Sequence, residues 1–235
     1  MRSEEFIDPL FPFFRQFVVK IDLTSRESSL FSVGVVGWRL EEEAPQLLAL
    51  CREAGIPCDD LLGEPVKRQR ERAAERLLLS HALGRPVTLI HTKQGAPFVE
   101  GSDMNISISH TPRLVALAID PKVIIGVDAE QADRAQVLRV RDKFLNTTEK
   151  QFIHPDDLTA HVIAWTAKEA IIKAERNSAL DWTNGIMLDP FSLDGLEQGT
   201  ITLTARCAAA RYGLATRLVE GHYITLASLT GQPGQ

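Results

Sequence analysis

Residues 123–127 carry no polar side chain. A run that short and that apolar is the signature of a strand buried on both faces. Two acids follow at once, in Gly126-Val127-Asp128-Ala129-Glu130. Side chains i and i+2 of a strand share a face, so Asp128 and Glu130 are expected side by side where the buried strand ends. A rigid strand would deliver them to a fixed place; an ordinary strand end reaching solvent is the plain alternative. The second constraint is Trp165-Thr166-Ala167-Lys168-Glu169-Ala170-Ile171-Ile172-Lys173. Helical spacing stacks residues four apart, which aligns Trp165, Glu169 and Lys173. Glu169 and Lys173 read equally as a surface ion pair or as the edge of a site. If strand and helix meet, three carboxylates and one ammonium converge, a set suited to a hard, oxygen-liganded cation such as Mg²⁺ with phosphate oxygens completing its shell.

The rest of the chain narrows the class. Its 235 residues suffice for one large domain or two small ones. A formal net charge of −5 argues against a general nucleic-acid binder. Three cysteines, Cys51, Cys58 and Cys207, form no C-x-x-C pair and no disulfide framework, as in a reducing compartment. No apolar run approaches the roughly 20 residues of a membrane helix. Residues 1–14 mix Phe6, Leu10 and Phe11 with Glu4, Glu5 and Asp8, unlike a signal peptide. A cytoplasmic protein is expected, with no membrane and no nucleic-acid partner.

Periodicity predicts strands over 17–22 and 30–38, then helices over 41–54 and 65–83. A short strand over 87–91, a turn at Gly95-Ala96-Pro97, and a hairpin of 105–110 with 114–119 follow. Asp120-Pro121 marks a boundary. Beyond Glu130, helices are expected over 134–144, from Thr147-Thr148-Glu149 onward, and over 157–175, and closing strands over 186–193, 200–207, 215–219 and 223–229. The expected fold is α+β: two similar halves, 1–120 and 121–235, each a β-meander packed on helices, in a pseudo-twofold arrangement, with the metal site in the second.

Other candidates are less specific. Lys67 to Arg76 is a dense basic stretch whose interleaved Glu71 and Glu75 make a solvated, salt-bridged face the default. Arg68, Arg72 and Arg76 nevertheless recur at i+4 and could meet a polyphosphate through their guanidinium forks. His110 closes a strand as Ser109-His110-Thr111; a structural histidine or an N–H donor to phosphate are both open. The histidines lack zinc spacing, and no phosphate-binding loop, dinucleotide fingerprint or nucleophile elbow occurs.

Taken in order, these segments resemble the 4′-phosphopantetheinyl transferases of the surfactin-synthetase-activator type, the larger class with two fused halves. The marks are Gly126-Val127-Asp128-Ala129-Glu130, the stretch from Trp165 to Lys173, Ser109-His110-Thr111 upstream, Phe144-Leu145-Asn146-Thr147-Thr148-Glu149 between, and Arg68 to Arg76 before them. The resemblance spans about residues 65 to 175. It implies Mg²⁺-dependent (or Mn²⁺-dependent) transfer of 4′-phosphopantetheine from coenzyme A to a serine of an acyl or peptidyl carrier protein. It further implies that Asp128, Glu130 and Glu169 hold the metal, that Glu169 accepts the serine proton, that Lys173 contacts the pyrophosphate, and that Arg68, Arg76, Ser109 and His110 hold coenzyme A phosphates. Arg134, Val137, Leu138, Arg141 and Phe144 would present a basic and apolar helix to an acidic carrier; an ordinary amphipathic helix is the plain alternative. With both halves in one chain, a monomer is expected. Two departures stand out: Gly95-Ala96-Pro97 replaces the family's usual Gly-Lys-Pro, and Arg176-Asn177-Ser178-Ala179-Leu180 replaces a glycine-rich stretch. A homologue that binds coenzyme A or a carrier without turnover is the alternative that the Ala96 departure motivates.

Overall fold

A computed structural model of the chain describes residues 19–20 and 34–231. Strands β1 (Val19–Lys20) and β2 (Gly34–Arg39) lead into helices α1 (Ala44–Glu53) and α2 (Val66–Ala82). A two-stranded ribbon, β3 (Leu89–His91) with β4 (Pro97–Val99), precedes the hairpin β5 (Asn105–Thr111) and β6 (Leu114–Asp120). The order β1-β2-β6-β5 makes a four-stranded antiparallel sheet. The carboxylate of Asp120 then takes the backbone N–H groups of Lys122 and Val123, at 2.7 and 2.6 Å, and closes the turn that follows β6.

Strand β7 (Ile125–Gln131) opens a second unit, followed by α3 (Gln136–Arg139), α4 (Glu149–Phe152) and α5 (Leu158–Glu175). A meander of β8 (Ile186–Leu188), β9 (Thr200–Cys207), β10 (Ala210–Val219) and β11 (His222–Gly231) completes it. The sheet order is β7-β11-β10-β9-β8, antiparallel throughout. The fold is mixed α+β. In each large sheet a later strand returns beside one that precedes the helices, β6 beside β2 and β11 beside β7. No helix of the described residues is long and apolar enough to cross a membrane.

Strand alternation sorts the apolar side chains into layers. Trp38, Val115 and Leu117 face the core under α1 and α2, with Leu47, Leu77 and Leu78. Tyr223 and Ala227 face α5, with Ile163, Ala167 and Ile171. The opposite faces meet each other through Val35, Ala116 and Ala118 against Val127, Ile224 and Leu226. Alanines stand on both sides of this layer, Ala116 and Ala118 on one sheet and Ala129 and Ala215 on the other.

Several local expectations are corrected. The apolar run does not end in the acids: β7 starts at Ile125 and continues to Gln131, so Asp128 and Glu130 lie inside the strand, paired with Thr225 and Tyr223 of β11. The helix expected over 134–144 is a single turn, α3, and a 3₁₀ turn over Arg141–Lys143, because Phe144 and Leu145 must turn inward into the α5 core. Pro97 opens a strand after the predicted turn, and β8 stops at Leu188, short of 193. The strand expected over 17–22 falls outside the described residues apart from Val19–Lys20, and that over 30–38 does so up to residue 33.

Candidate active site

Gly126 explains how β7 and α5 meet. A Cβ built there would lie 1.8 Å from the carbonyl oxygen of Ala170 and 2.7 Å from the amide nitrogen of Ala174. Helix and strand are thus in backbone contact, through a glycine on one side and alanines on the other. The face of β7 that holds Gly126 also holds Asp128 and Glu130, and the last turns of α5 carry Glu169 and Lys173 over it.

Asp128 is buried. Its Oδ1 accepts from the Lys173 ammonium at 2.7 Å and from the Ser109 hydroxyl at 2.8 Å. Its Oδ2 is buried with no hydrogen-bond partner. Lys173 therefore crosses to the strand rather than pairing along its own helix. Glu130 accepts from the Arg134 guanidinium. The Glu169 side chain makes no hydrogen bond or ion pair among the described residues. Burial first, then the charge of Asp128, pushes its carboxyl above the ordinary range, against the opposing pull of Lys173 and Arg134. The structure thus brings Asp128, Glu169 and Lys173 into one electrostatic neighbourhood, with Ser109 at its edge; Glu130 joins it through Arg134, whose charge also reaches Glu169.

An orphaned buried carboxylate oxygen, with a second acid whose ionisation is opposed by the first, is a donor set that fits a hard divalent cation. Among the described residues no three acidic, histidine or cysteine side chains are already gathered at metal-binding spacing. The ammonium of Lys173 and the guanidinium of Arg134 stand on Asp128 and Glu130, so these carboxylates are neutralised by side chains.

Two residues that entered the sequence analysis only as motif positions, with no role of their own, hold this site in place. Lys168, beside Glu169, is fully buried, and its ammonium donates to Glu149 Oε2 and to the carbonyls of Phe144 and Trp182, each at 2.7 Å, and to the carbonyl of Ile186 at 2.9 Å. Glu149, also fully buried, accepts in addition from the amides of Asn146 and Leu188 at 2.9 Å each. The signal was present: Lys168 lies four residues after Ala164 and three before Ile171, on the buried stripe of the helix. Beside this anchor, Trp165 packs edge-on to Phe144 at 5.2 Å and tilted on Trp182 at 4.6 Å, with the Arg134 guanidinium 5.2 Å above its ring. These residues, with Val137 and Val140, line a groove of about 400 Å³. Val137 and Phe144 are therefore core and groove floor, not an outward docking face.

The remaining candidates lie on the α2 side. Alternation along β5 turns Ser109 toward β7 and His110 the other way, where its ring nitrogens stand 3.6 Å from Glu75 and 3.9 Å from Glu71. Arg68 is exposed, 3.9 Å from Glu64. Arg76 is bidentate to Asp60 at 2.7 and 2.6 Å and also donates to the Pro57 carbonyl at 2.7 Å. Arg70 gives its guanidinium to the carbonyls of Leu40, Glu42 and Pro112 and ties α2 to the sheet ends. Arg68, Arg72 and Arg76 do form a row, and they line a cleft of about 340 Å³ together with His91.

Residues 124–227, which include all three acids, Lys168 and Lys173, match the family model of the 4′-phosphopantetheinyl transferase superfamily. No curated protein matches the chain.

Proposed function

We infer from the membership of residues 124–227 in the 4′-phosphopantetheinyl transferase superfamily that the chain transfers 4′-phosphopantetheine from coenzyme A to a serine of an acyl or peptidyl carrier protein. The observation that carries this reading is Asp128: one oxygen neutralised by Lys173 and Ser109, the other buried and unpartnered, beside a glutamate that resists ionisation. Asp128, Glu130 and Glu169 would hold Mg²⁺ or Mn²⁺, which would supply neutralisation of the coenzyme A pyrophosphate.

The side chains divide the remaining work. Lys173 can swing from Asp128 to a pyrophosphate oxygen and hold it, since an ammonium on a four-carbon stem is free to exchange partners. Ser109 keeps the Asp128 carboxylate oriented. Glu169 accepts the proton of the attacking serine; a carboxyl lifted toward the working pH is the better base. The serine oxygen bonds to the phosphorus of the pantetheine phosphate as the bond from that phosphorus to the bridging pyrophosphate oxygen breaks. The electron pair leaves with adenosine 3′,5′-bisphosphate.

The strand return common to the two large sheets supports a pseudo-twofold construction with halves 1–120 and 121–235, and we read the protein as a cytoplasmic monomer. Light scattering at working concentration tests the last point, a dimer mass counting against it.

The decisive assay incubates the protein with coenzyme A, Mg²⁺ and a panel of apo carrier proteins and reads each carrier by intact mass. One carrier is expected to gain a phosphopantetheine. Asp128→Ala and Glu169→Gln should leave it unmodified while keeping the wild-type circular dichroism. Full modification by both variants would reject the assigned chemistry. Binding of coenzyme A with no carrier modified would favour the non-catalytic reading that Ala96 motivates.

A further inference from the structure

Arg134 touches both the acids of β7 and α5 and the aromatic groove beside them. It lies in the turn between β7 and α3, and its guanidinium donates to the Glu130 carboxylate. The same guanidinium stands 5.2 Å above the Trp165 ring, within cation–π range. It also lines the 400 Å³ groove, together with Lys143, Phe144 and Trp182. Its charge is felt at Glu169, where it opposes the burial that raises that carboxyl. The side chain of Arg134 is 32% exposed and that of Glu130 18%, so the pair borders solvent and the guanidinium is able to change partners.

We propose that Arg134 competes with the divalent cation for Glu130, and that cation binding moves the guanidinium off Glu130 and wholly onto the Trp165 face, adding a positive charge to the groove. The inference rests on the reading of Asp128, Glu130 and Glu169 as the metal-holding acids. A guanidinium hydrogen-bonded to a carboxylate neutralises it, and a doubly charged ion on that same carboxylate repels the guanidinium. The Trp165 ring already supplies a second station, so the displaced side chain does not lose all its partners. Lys173 stands differently. It occupies only Oδ1 of Asp128 and leaves Oδ2 without a partner, so a cation can take the second oxygen with the ammonium still in place. The groove lining includes Arg134 and Lys143 and no acidic side chain. Freed Arg134 therefore makes the groove fully basic only when the cation is bound. The two sites are coupled through one side chain, and by linkage the coupling is reciprocal: cation first, acidic carrier second is the favoured order of assembly.

The test titrates the protein with Mg²⁺ alone by isothermal titration calorimetry. Arg134→Gln should bind Mg²⁺ about fivefold more tightly than the wild type, because the competing ion pair is gone. Trp165→Phe weakens the second station and should bind Mg²⁺ less tightly than the wild type, an effect that should vanish in the Arg134→Gln background. Tryptophan emission supplies a second readout. At fixed ionic strength, Mg²⁺ should increase quenching by iodide and not by acrylamide, and Arg134→Gln should abolish the increase. Unchanged or weaker Mg²⁺ binding in Arg134→Gln, or an iodide effect that survives in it, would overturn the proposal. An arginine that only fastens the turn to β7 would lower the melting temperature of the variant without tightening Mg²⁺. Carrier modification, run in parallel, separates the two ideas. Tightened Mg²⁺ binding in Arg134→Gln with no carrier modified by the wild type sinks the transferase reading and leaves the exchange standing; transfer with a Mg²⁺ affinity indifferent to Arg134 sinks the exchange alone.

Discussion

Asp128 and Glu169 carry the same functional group in opposite circumstances, and the difference sets their behaviour. Asp128 has an ammonium and a hydroxyl on one oxygen. Glu169 has burial and a neighbouring negative charge against it. A carboxyl raised in the folded state favours folding while it is protonated, and that contribution disappears as pH rises through the folded value. Ionised Glu169 is therefore a cost to the metal-free protein at neutral pH. Glu169→Gln should melt above the wild type at pH 7.5 in chelator, as active-site residues often trade stability for function. The gap should close below about pH 4, where both states hold the proton. Added Mg²⁺ should stabilise the wild type and leave the variant nearly unmoved. Differential scanning fluorimetry checks all three, and a variant that melts below the wild type in chelator contradicts the account.

At the scale of elements, the site depends on how closely α5 lies on β7 and on what fastens it there. Gly126→Ala would drive a methyl into the Ala170 carbonyl, and backbone on both sides leaves no flexible atom to yield. A loss of about 1–3 kcal/mol is expected from overpacking, with transfer falling further than stability because Glu169 moves with its helix. Lys168→Met leaves the buried Glu149 carboxylate without its counter-charge, a change that costs about 3–5 kcal/mol in buried pairs. Lys168→Met with Glu149→Leu should recover part of that loss, and urea unfolding of the singles and the double measures the coupling. These elements were also the most legible in the sequence. The 3.6-residue period placed α5 to within a residue, and the i, i+2 rule placed Asp128 and Glu130 on one face. The one-turn helix at Gln136–Arg139 was not legible, because its polar and apolar spacing suits a longer helix and only the demand of the core for Phe144 and Leu145 cuts it short. Lys168 and Glu149 were quoted as motif positions but given no role for a related reason: a lysine and a glutamate normally signal solvent, and their burial follows from three backbone carbonyls, of Phe144, Trp182 and Ile186, that only the folded chain brings together.

At the scale of the whole molecule, the two sheets meet where each has a free edge. The outward N–H groups of β7 at Val127 and Ala129 have no strand beyond them, and buried amides must find acceptors. Ser107 and Ser109 of β5 supply these with their hydroxyl oxygens, at 2.9 and 3.2 Å. The alternation of serine with Ile106 and Ile108 showed a strand, but nothing local told that the serines served an edge of the other sheet. The same two residues now separate architecture from chemistry. Ser107→Ala should leave the Val127 amide unsatisfied and cost about 1–3 kcal/mol in stability, with transfer by the surviving folded protein close to wild type. Ser109→Ala should cost a similar amount and also free Asp128 Oδ1 from one of its two donors, so its transfer rate per folded molecule should drop as well. Chemical denaturation gives the first quantity and single-turnover transfer at a temperature where both variants are folded gives the second. Equal rates in the two variants would mean that the hydroxyl on Asp128 only joins the two sheets and takes no part in setting the carboxylate for its work.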